Sequence, residues 1–399
     1  MFADGRAESA RRMKVVVDAR PALGPRPTGV GRYAREIVHR LPIADPGSDY
    51  VAWYLHAKGL FRPRAFFPDA PANLTERASR FPARIYQPLA WRSGFPRVEW
   101  LVGDYDLFMA TNFLPPATRR AGRVVPVVHD LAFVGHPGTA PHIDQRWRRR
   151  LLEGVLAAPG VLVPSTAVRD DLVRFAPSID PARVHVVHHG VEQGAFTAAP
   201  TPVIQDVLRR FAIGRRYALF LGGIEPRKNL PRLVQAFGML ADPDVWLVIA
   251  GGTVDWFPEA SAQVDAAVAS LPPQLRARVV RTGYVSDPDR LALLSGAEIL
   301  VYPSIAEGFG FPVLEAFAAN VPVLTSNTSA LPEVAGDAAV LVDPTDPGSI
   351  AAGMDELFSD ADLRAMLAAK GLARVAGFTW ERCAKATAAA LHEAAEHAR

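Results

Sequence analysis

The feature that most constrains the fold of this chain is an alternation of short apolar runs, rich in β-branched residues, with longer amphipathic stretches. Stretches such as GRYAREIVHRL (31–41) and AVRDDLVRFA (167–176) carry apolar residues at helical spacing. The runs that predict strands in the first half are KVVVDAR (14–20), YVAWYLH (50–56), DLFMATN (106–112), RVVPVVHD (123–130), GVLVPS (160–165) and RVHVVHH (183–189). Apolar strands separated by helices predict βαβ units, in which a parallel sheet is covered on both faces.

The alternation occurs twice, with a pause between the two series. Residues 192–204, EQGAFTAAPTPVI, are small, polar and proline-containing, which is typical of a linker. The pattern then restarts with RYALFLGG, VWLVIAGG and EILVYPS, and 399 residues are enough for two domains of roughly 150–200 residues each. We therefore predict an α/β protein with two doubly wound, Rossmann-like domains, at 13–195 and 205–380, that face a central cleft. An alanine-rich helix at 381–399 is predicted to pack back on the N-terminal domain.

Charge and composition argue against several classes of protein. A formal net charge of +3 is too small for a nucleic-acid-binding surface, and no apolar run reaches the roughly 18 residues of a membrane span. The single cysteine, Cys383, excludes an internal disulfide, and the polar first 12 residues do not resemble a secretory signal. We expect a cytoplasmic protein. The basic run at 146–150 is interpreted as a solvated helix face, with peripheral contact to the inner face of the membrane as the alternative.

The stretch EGFGFPVLEAF, which begins at Glu307, places two carboxylates around a glycine-rich turn between a predicted strand and a predicted helix. Gly308 and Gly310 allow a tight turn, and Pro312 fits the first helical position, so the turn's N–H groups form an anion cradle. Glu307 at the edge of the cradle and Glu315 in the first helical turn would be unfavourable beside an anion unless they bind hydroxyls. The stretch therefore predicts a phosphate flanked by a ribose and another sugar. The alternative is that Glu315 only complements the helix dipole and Glu307 is exposed.

A second motif, LFLGGIEPRKNLPRLVQAF, follows the first predicted strand of the second half. The strand ends at Gly222 and Gly223, and a helix is predicted to begin near Asn229, a good N-cap residue. Arg227 and Lys228 lie at the mouth of this turn, where a guanidinium fork and a compact ammonium suit a diphosphate. Both motifs follow strands of one domain, so they are predicted to bind one ligand.

Together these motifs resemble the retaining GT-B glycosyltransferases of family 4, and the resemblance covers nearly the whole chain. Glu307 and Glu315 match the family's E-x7-E motif, and Arg227 with Lys228 matches its donor-phosphate pair. The resemblance implies that Glu315 binds the nucleotide ribose and that Glu307 binds hydroxyls of the transferred sugar. It implies that the basic pair holds the diphosphate and stabilises it as it leaves.

The N-terminal half agrees with this resemblance. RPTGVGR (26–32) is similar to the family's glycine-rich loop over the donor phosphates, and His129 stands where a family histidine contacts the donor sugar. Asp130 resembles a mannosyltransferase-like branch, and the loop at 112–116 is a candidate acceptor wall. The implied donor-binding residues are Gly29, Gly31, Gly223, Gly283, Tyr284, Val285, Gly308, Phe309, Gly310, Phe311 and Glu315.

The activity that the resemblance implies is transfer of a hexose, with mannose from GDP-mannose as the first expectation and a UDP-hexose as the next. The acceptor is expected to be a saccharide, a lipid-linked molecule or a small metabolite. The implied catalytic residues are Arg227, Lys228, His129 and Glu307, with no metal and no cofactor apart from the donor substrate. One alternative is an NAD-dependent oxidoreductase or epimerase, because residues 29–34 fit G-x-G-x-x-A. Another is a catalytically silent nucleotide-sugar-binding protein.

Overall fold

Two parallel β-sheets, one in each half of the chain, organise the computed structural model. The structure describes residues 11–24, 28–55, 66–67, 69–81, 83–135, 143–196 and 198–398. The strands of the first half are β1 (Lys14–Asp18), β2 (Asp49–Leu55), β3 (Leu74–Ser79), β4 (Leu107–Ala110), β5 (Val124–Pro126), β6 (Val161–Val163) and β7 (Val184–Val186). Five of them form a sheet in the order β3-β2-β1-β4-β5, and a parallel bridge between Val127 and Leu162 continues it to the β6–β7 pair.

The helices of the first half cover both faces of this sheet. They are α1 (Gly29–Ala44), α2 (Ala83–Ser93), α3 (Val98–Val102), α4 (Ala132–Gly135), α5 (Gln145–Ala157) and α6 (Thr166–Phe175). Successive side chains of a strand point to opposite faces, so Val15 and Val17 pack in the cluster that contains Ile37 of α1. Val16 packs on the other face, in the cluster that contains Tyr86 of α2. The central strand is therefore buried on both sides, as its continuous apolar sequence predicts.

The second half has a six-stranded parallel sheet. Its strands are β8 (Tyr217–Leu221), β9 (Trp246–Ala250), β10 (Val279–Gly283), β11 (Ile299–Tyr302), β12 (Val323–Ser326) and β13 (Ala339–Val342). The helices of this half are α7 (Thr201–Arg210), α8 (Leu230–Phe237), α9 (Pro258–Ala269), α10 (Pro273–Arg276), α11 (Asp287–Gly296), α12 (Phe311–Ala318), α13 (Leu331–Ala335), α14 (Pro347–Ser359), α15 (Ala361–Val375) and α16 (Trp380–His397). In the order β10-β9-β8-β11-β12-β13, successive strands of the chain are added towards one edge from β8 and towards the other edge from β11, so the strand order reverses between β8 and β11. Ligands of doubly wound sheets bind beyond the carboxyl ends of the strands at such a reversal.

The last helix returns to the first half of the molecule. Trp380 and Leu391 of α16 are buried in the same cluster as Leu41 of α1. A β-carbon added to Gly190 would overlap the backbone nitrogen of Trp380, so only glycine allows this close approach. The two doubly wound sheets and the returning helix agree with the predicted architecture, whereas the exact domain limits stay a prediction.

Two local predictions are wrong, and one strand was not predicted. Strand β3 was not expected, because its sequence LTERAS is mostly polar, as suits a strand at the edge of a sheet. The predicted linker at 192–204 ends in helix, since α7 begins at Thr201 with a proline in its first turn. The side chain of Asn229 does not cap α8. Asn229 has a left-handed backbone, and its amide instead donates to the carbonyls of Pro303 (3.0 Å) and Pro344 (2.6 Å).

Candidate functional site

The loops that follow β8 and β11 meet where the strand order reverses. Pro226 to Lys228 form a single 3₁₀ turn after β8, and the carbonyl of Arg227 accepts a hydrogen bond from the backbone of Ile305 (2.8 Å). The Arg227 guanidinium also donates to the carbonyl of Ala306 (3.2 Å). The two sequence motifs therefore lie against each other, whereas their binding of one ligand stays a prediction.

Glu307 is the centre of a buried cluster of charged and polar side chains, which we call the Glu307 cluster: Glu307, Arg227, Lys228 and Tyr302. Glu307 Oε2 lies 2.5 Å from Arg227 Nη1, and Glu307 Oε1 accepts hydrogen bonds from Lys228 Nζ and from the Tyr302 hydroxyl (2.7 Å for the latter). Lys228 Nζ also donates to the Tyr302 hydroxyl, and Arg227 has a second carboxylate partner in Glu225 (2.8 Å). The basic pair is thus held by carboxylates in this structure.

The position of Glu307 differs from both interpretations of its sequence. Its exposed fraction is only 8%, so it is neither a surface residue nor a carboxylate standing free at the edge of the turn. Burial would raise the pKa of Glu307, but the charges of Arg227 and Lys228 outweigh burial and lower it to about 2. Burial and the neighbouring Arg227 together lower the pKa of Lys228, which Glu307 opposes. Glu307 is therefore a permanent anion that holds the buried Lys228 and the partly buried Arg227 together.

Glu315 is the fifth residue of α12, one position further into the helix than predicted, because the helix begins at Phe311, and it is 3% exposed. Both of its oxygens accept hydrogen bonds from Arg290 of α11, at 2.8 Å each. A third partner, Arg32, comes from α1 in the other half of the molecule and pairs with Glu315 Oε1. The carboxylate that is predicted to bind ribose is therefore occupied by two arginines. The sequence motifs indicated a role for neither arginine, although Arg32 follows Gly31 directly.

The glycine-rich turn after Glu307 is in close contact with the first half of the molecule. A β-carbon on Gly308 would overlap the carbonyl oxygen of His129, and the Ser165 hydroxyl donates to the carbonyl of Gly308 (2.9 Å). Gly310 has a φ of 120°, which a residue with a side chain rarely adopts. The glycines of this turn are thus required by a close approach and by backbone conformation. Whether the turn's N–H groups bind an anion stays a prediction.

The N-terminal glycine-rich loop faces this turn from the other half. Gly29 is the first residue of α1, and a β-carbon there would lie 3.3 Å from the ring of Phe311. The Thr28 hydroxyl caps the helix by accepting from the N–H of Gly31 (3.1 Å). A β-carbon on Gly31 would lie 2.8 Å from the carbonyl oxygen of Pro21. The loop therefore stands beside the predicted donor cradle, while residues 26 and 27 of its motif lie outside the described residues.

His129 lies in the buried contact between the halves. Its Nε2 is 2.8 Å from the carbonyl oxygen of Thr111, so Nε2 carries the proton in a neutral ring. Burial lowers the pKa of His129, which keeps the ring neutral at physiological pH. The ring of Phe113, which has a left-handed backbone with φ of 32°, packs edge-on against it at 5.9 Å. The predicted acceptor wall at 112–116 thus borders the predicted sugar-binding histidine.

The remaining predicted donor residues line the other side of the sheet reversal. Gly283 ends β10, and its carbonyl accepts from the N–H of Gly251 (2.9 Å). A β-carbon on Gly223 would lie 2.8 Å from Val254 in the loop after β9, so the loops after β8 and β9 are packed together. Tyr284 is 55% exposed and Val285 is partly buried. Because β9 separates β10 from β8, these two residues stand apart from the Glu307 cluster.

The basic run at 146–150 lies within α5 and does not form one uniform face. Trp147 packs edge-on against Phe133 (5.7 Å) and Phe113 (5.6 Å), and the guanidinium of Arg148 stacks over Phe133 at 4.9 Å. Part of the run therefore contributes to packing. Within the part of the chain that the structure describes, no helix combines the length and apolarity needed to cross a membrane.

Comparison with known proteins identifies the family of the chain. Residues 27–193 match the family described as Glycosyltransferase Family 4, and residues 209–374 match Glycosyl transferases group 1. O-antigen chain mannosyltransferase B of Escherichia coli is 30% identical over 393 residues, which cover 94% of this chain and 98% of that protein. The chain belongs to glycosyltransferase family 4. Alpha-maltose-1-phosphate synthase of Mycobacterium tuberculosis is 32% identical over 242 residues, 55% of this chain and 60% of that protein.

Solved structures confirm the GT-B fold of this family 4 glycosyltransferase. HepE of Anabaena, solved with UDP and glucose, has a TM-score of 0.73 at 17% identity and covers 96% of this chain and 100% of that chain. Sucrose-phosphate synthase of Thermosynechococcus elongatus has a TM-score of 0.71 at 18% identity and covers 94% of this chain and 96% of that chain. Family and fold together identify a glycosyltransferase with a nucleotide-sugar donor. They support neither the oxidoreductase or epimerase alternative nor the silent binding protein.

Proposed function

We propose that the chain transfers a hexosyl group, first of all mannose from GDP-mannose, to a hydroxyl of a saccharide acceptor, with retention of configuration at the anomeric carbon. The observation that carries the proposal is the pair of cations formed by the partly buried Arg227 and the buried Lys228, at the carboxyl end of the sheet where its strand order reverses. A diphosphate entering there meets a guanidinium, an ammonium and the N–H groups of a glycine-rich turn.

Departure of the nucleoside diphosphate is the demanding step of sugar transfer, because negative charge develops on its phosphate oxygens. Arg227 and Lys228 are placed to stabilise that charge in a water-poor site, where electrostatic interactions are strong. The departing phosphate then helps to remove the proton from the attacking hydroxyl on the same face of the sugar. In this proposal the chain supplies fixed positive charge and orientation, and no side chain becomes covalently bound to the sugar.

The environment of the two glutamates argues against a glycosidase-like mechanism. A retaining glycosidase uses one carboxylate as nucleophile and a second carboxyl group as acid and base. Glu307 has a lowered pKa and is paired with two cations, so it is a poor proton donor. Glu315 is paired with Arg32 and Arg290. This environment suits a carboxylate that releases one arginine and accepts hydrogen bonds from the hydroxyls of a ribose instead.

Two donors are supported by different observations. GDP-mannose is favoured by the relative named an O-antigen chain mannosyltransferase, whose similarity spans nearly the whole chain, and by segments of the relative named serotype-specific mannosyltransferase WbdA. A UDP-hexose is favoured by the structural neighbour HepE, solved with UDP-glucose. The first named relative also favours a growing polysaccharide or a lipid-linked saccharide as the acceptor, reached through peripheral contact with the membrane.

A binding screen followed by a product analysis tests this proposal. Thermal denaturation with GDP, UDP and ADP identifies the nucleobase, and we expect GDP to raise the midpoint most. Hydrolysis of GDP-mannose and of UDP-glucose without acceptor then identifies the sugar, and NMR of a transfer product gives the anomeric configuration. Absence of both hydrolysis and transfer with every donor would contradict the proposed activity, and an inverted product would contradict retention alone. Flotation with anionic vesicles tests membrane contact separately.

A further inference from the structure

Tyr302 is the member of the Glu307 cluster that neither the sequence motifs nor the family match points to. It is the last residue of β11, is 1% exposed, and stacks on Phe220 of the neighbouring strand β8 (5.7 Å between ring centroids, 19° between planes). Its hydroxyl donates to Glu307 Oε1 (2.7 Å) and accepts from Lys228 Nζ. The hydroxyl therefore joins the carboxylate and the ammonium of the cluster from a rigid position on the sheet.

Lys228 needs such an anchor more than Arg227 does. The Arg227 guanidinium is fixed by two carboxylates and by the carbonyl of Ala306 in the loop after β11, whereas the Lys228 ammonium ends a flexible four-carbon chain. An ammonium has three N–H donors. Among the described residues, Glu307 and Tyr302 accept from Lys228. These two acceptors orient the remaining N–H group.

We propose that Tyr302 is a positioning residue for the transfer reaction: it holds Lys228 so that one N–H group is aimed at the departing diphosphate. This inference rests on the proposed function, because it assigns Tyr302 an effect only through Lys228. Loss of the hydroxyl leaves the ammonium with one acceptor and more rotational freedom. This loss weakens the stabilisation of the charge that develops as the diphosphate departs, and it weakens binding of the donor in its ground state much less.

The variant Y302F removes the hydroxyl and keeps the ring that stacks on Phe220. The matched control is Y217F, because Tyr217 is also buried in the same sheet and its hydroxyl donates to the carbonyl of Leu293 (2.6 Å), away from the basic pair. Both variants lose a buried hydroxyl, with one hydrogen bond in Y217F and two in Y302F, so the unfolding midpoint is expected to fall in both and further in Y302F. We expect Y302F to lower kcat for donor hydrolysis about 10- to 100-fold with donor KM changed less than about threefold. Y217F is expected to change both by less than about threefold.

A double-mutant cycle separates positioning of Lys228 from a structural role. If Tyr302 acts through Lys228, the variant Y302F/K228M is no slower than K228M. The pH profile supplies a second readout, since the Tyr302 oxygen stabilises the charged ammonium. Its loss lowers the pKa of Lys228, so the alkaline limb of kcat moves to lower pH in Y302F and stays in place in Y217F.

The outcomes distinguish this inference from the proposed function. A slow K228M together with a Y302F that matches Y217F overturns the role of Tyr302 and leaves the leaving-group role of Lys228 intact. Multiplicative effects in the double variant overturn it as well. A K228M variant with wild-type kcat overturns both, because Lys228 then has no part in departure.

Discussion

Replacing Glu307 with Gln should destabilise the fold strongly, because the carboxylate holds the buried ammonium of Lys228 and the partly buried guanidinium of Arg227. The variant E307Q keeps the shape of the side chain but leaves Lys228 with no carboxylate partner among the described residues, while Arg227 keeps Glu225. Breaking a buried ion pair costs about 3–5 kcal/mol. Because Arg227 keeps its contact with Glu225, we expect a loss at the lower end of this range, about 3 kcal/mol. The lowered pKa gives a similar magnitude: a fall from 4.5 to about 2 corresponds to about 3 kcal/mol.

The pH dependence of unfolding gives this prediction its sign. The folded-state pKa of Glu307 lies below the unfolded value, so its stabilisation is fully present above about pH 4.5 and is lost as the pH falls towards 2. Urea denaturation followed by circular dichroism should therefore show a free energy of unfolding that is lower in E307Q at pH 7. The difference from wild type should shrink on acidification.

A second glutamate that is paired with two cations, Glu298, provides the control. Glu298 pairs with Arg216 (2.9 Å) and Arg364 (3.2 Å), but Arg216 is 41% exposed, so water can replace the lost partner. We expect E298Q to cost about 1 kcal/mol. If E307Q and E298Q have the same free energy of unfolding, or if the E307Q difference does not depend on pH, then the Glu307 cluster is not held together by buried charge as described.

Three further variants or reagents test other parts of the structure. E315A should weaken binding of GDP or UDP about tenfold by isothermal titration calorimetry, through loss of ribose hydrogen bonds, and unchanged affinity would remove this role. G190A should lower the free energy of unfolding by about 3 kcal/mol in urea, because its β-carbon overlaps the backbone of Trp380, and a neutral effect would show that α16 can shift to admit it. Burial raises the pKa of Cys383 to about 12, so a thiol-specific disulfide reagent at pH 8 should label it only after denaturation, and rapid labelling of the folded protein would contradict its burial.

The architecture was predictable because its signal is carried by many residues at once. Apolar runs such as the one around Val16 cannot be exposed on either face, so they require a parallel sheet covered by helices. Strand β3 escaped the prediction because an edge strand has few buried positions and therefore little periodicity. The side chain of Asn229 was given the wrong role, because a residue type that favours N-caps also favours the left-handed backbone that Asn229 adopts here.

The site was predictable in its location but not in its internal pairing. The glycine-rich turn and the basic pair identify the carboxyl ends of β8 and β11, which is information about backbone conformation and local charge. The partners of Glu307 and Glu315 are set by tertiary contacts between residues far apart in sequence. Arg32 is 283 positions from Glu315, and Tyr302 looks in sequence like any aromatic residue ending a buried strand.

The return of α16 to the first sheet affects how the chain matures during synthesis. The helix that completes the N-terminal core is made after the whole second sheet, so a nascent chain that has left the ribosome as far as α15 still exposes the groove that Trp380 and Leu391 fill. The first sheet is therefore translated before the second but can be finished only after it. A stop codon just before Trp380 would leave the whole donor-side sheet encoded, and is expected to leave the other half of the enzyme as a substrate for chaperones or proteases.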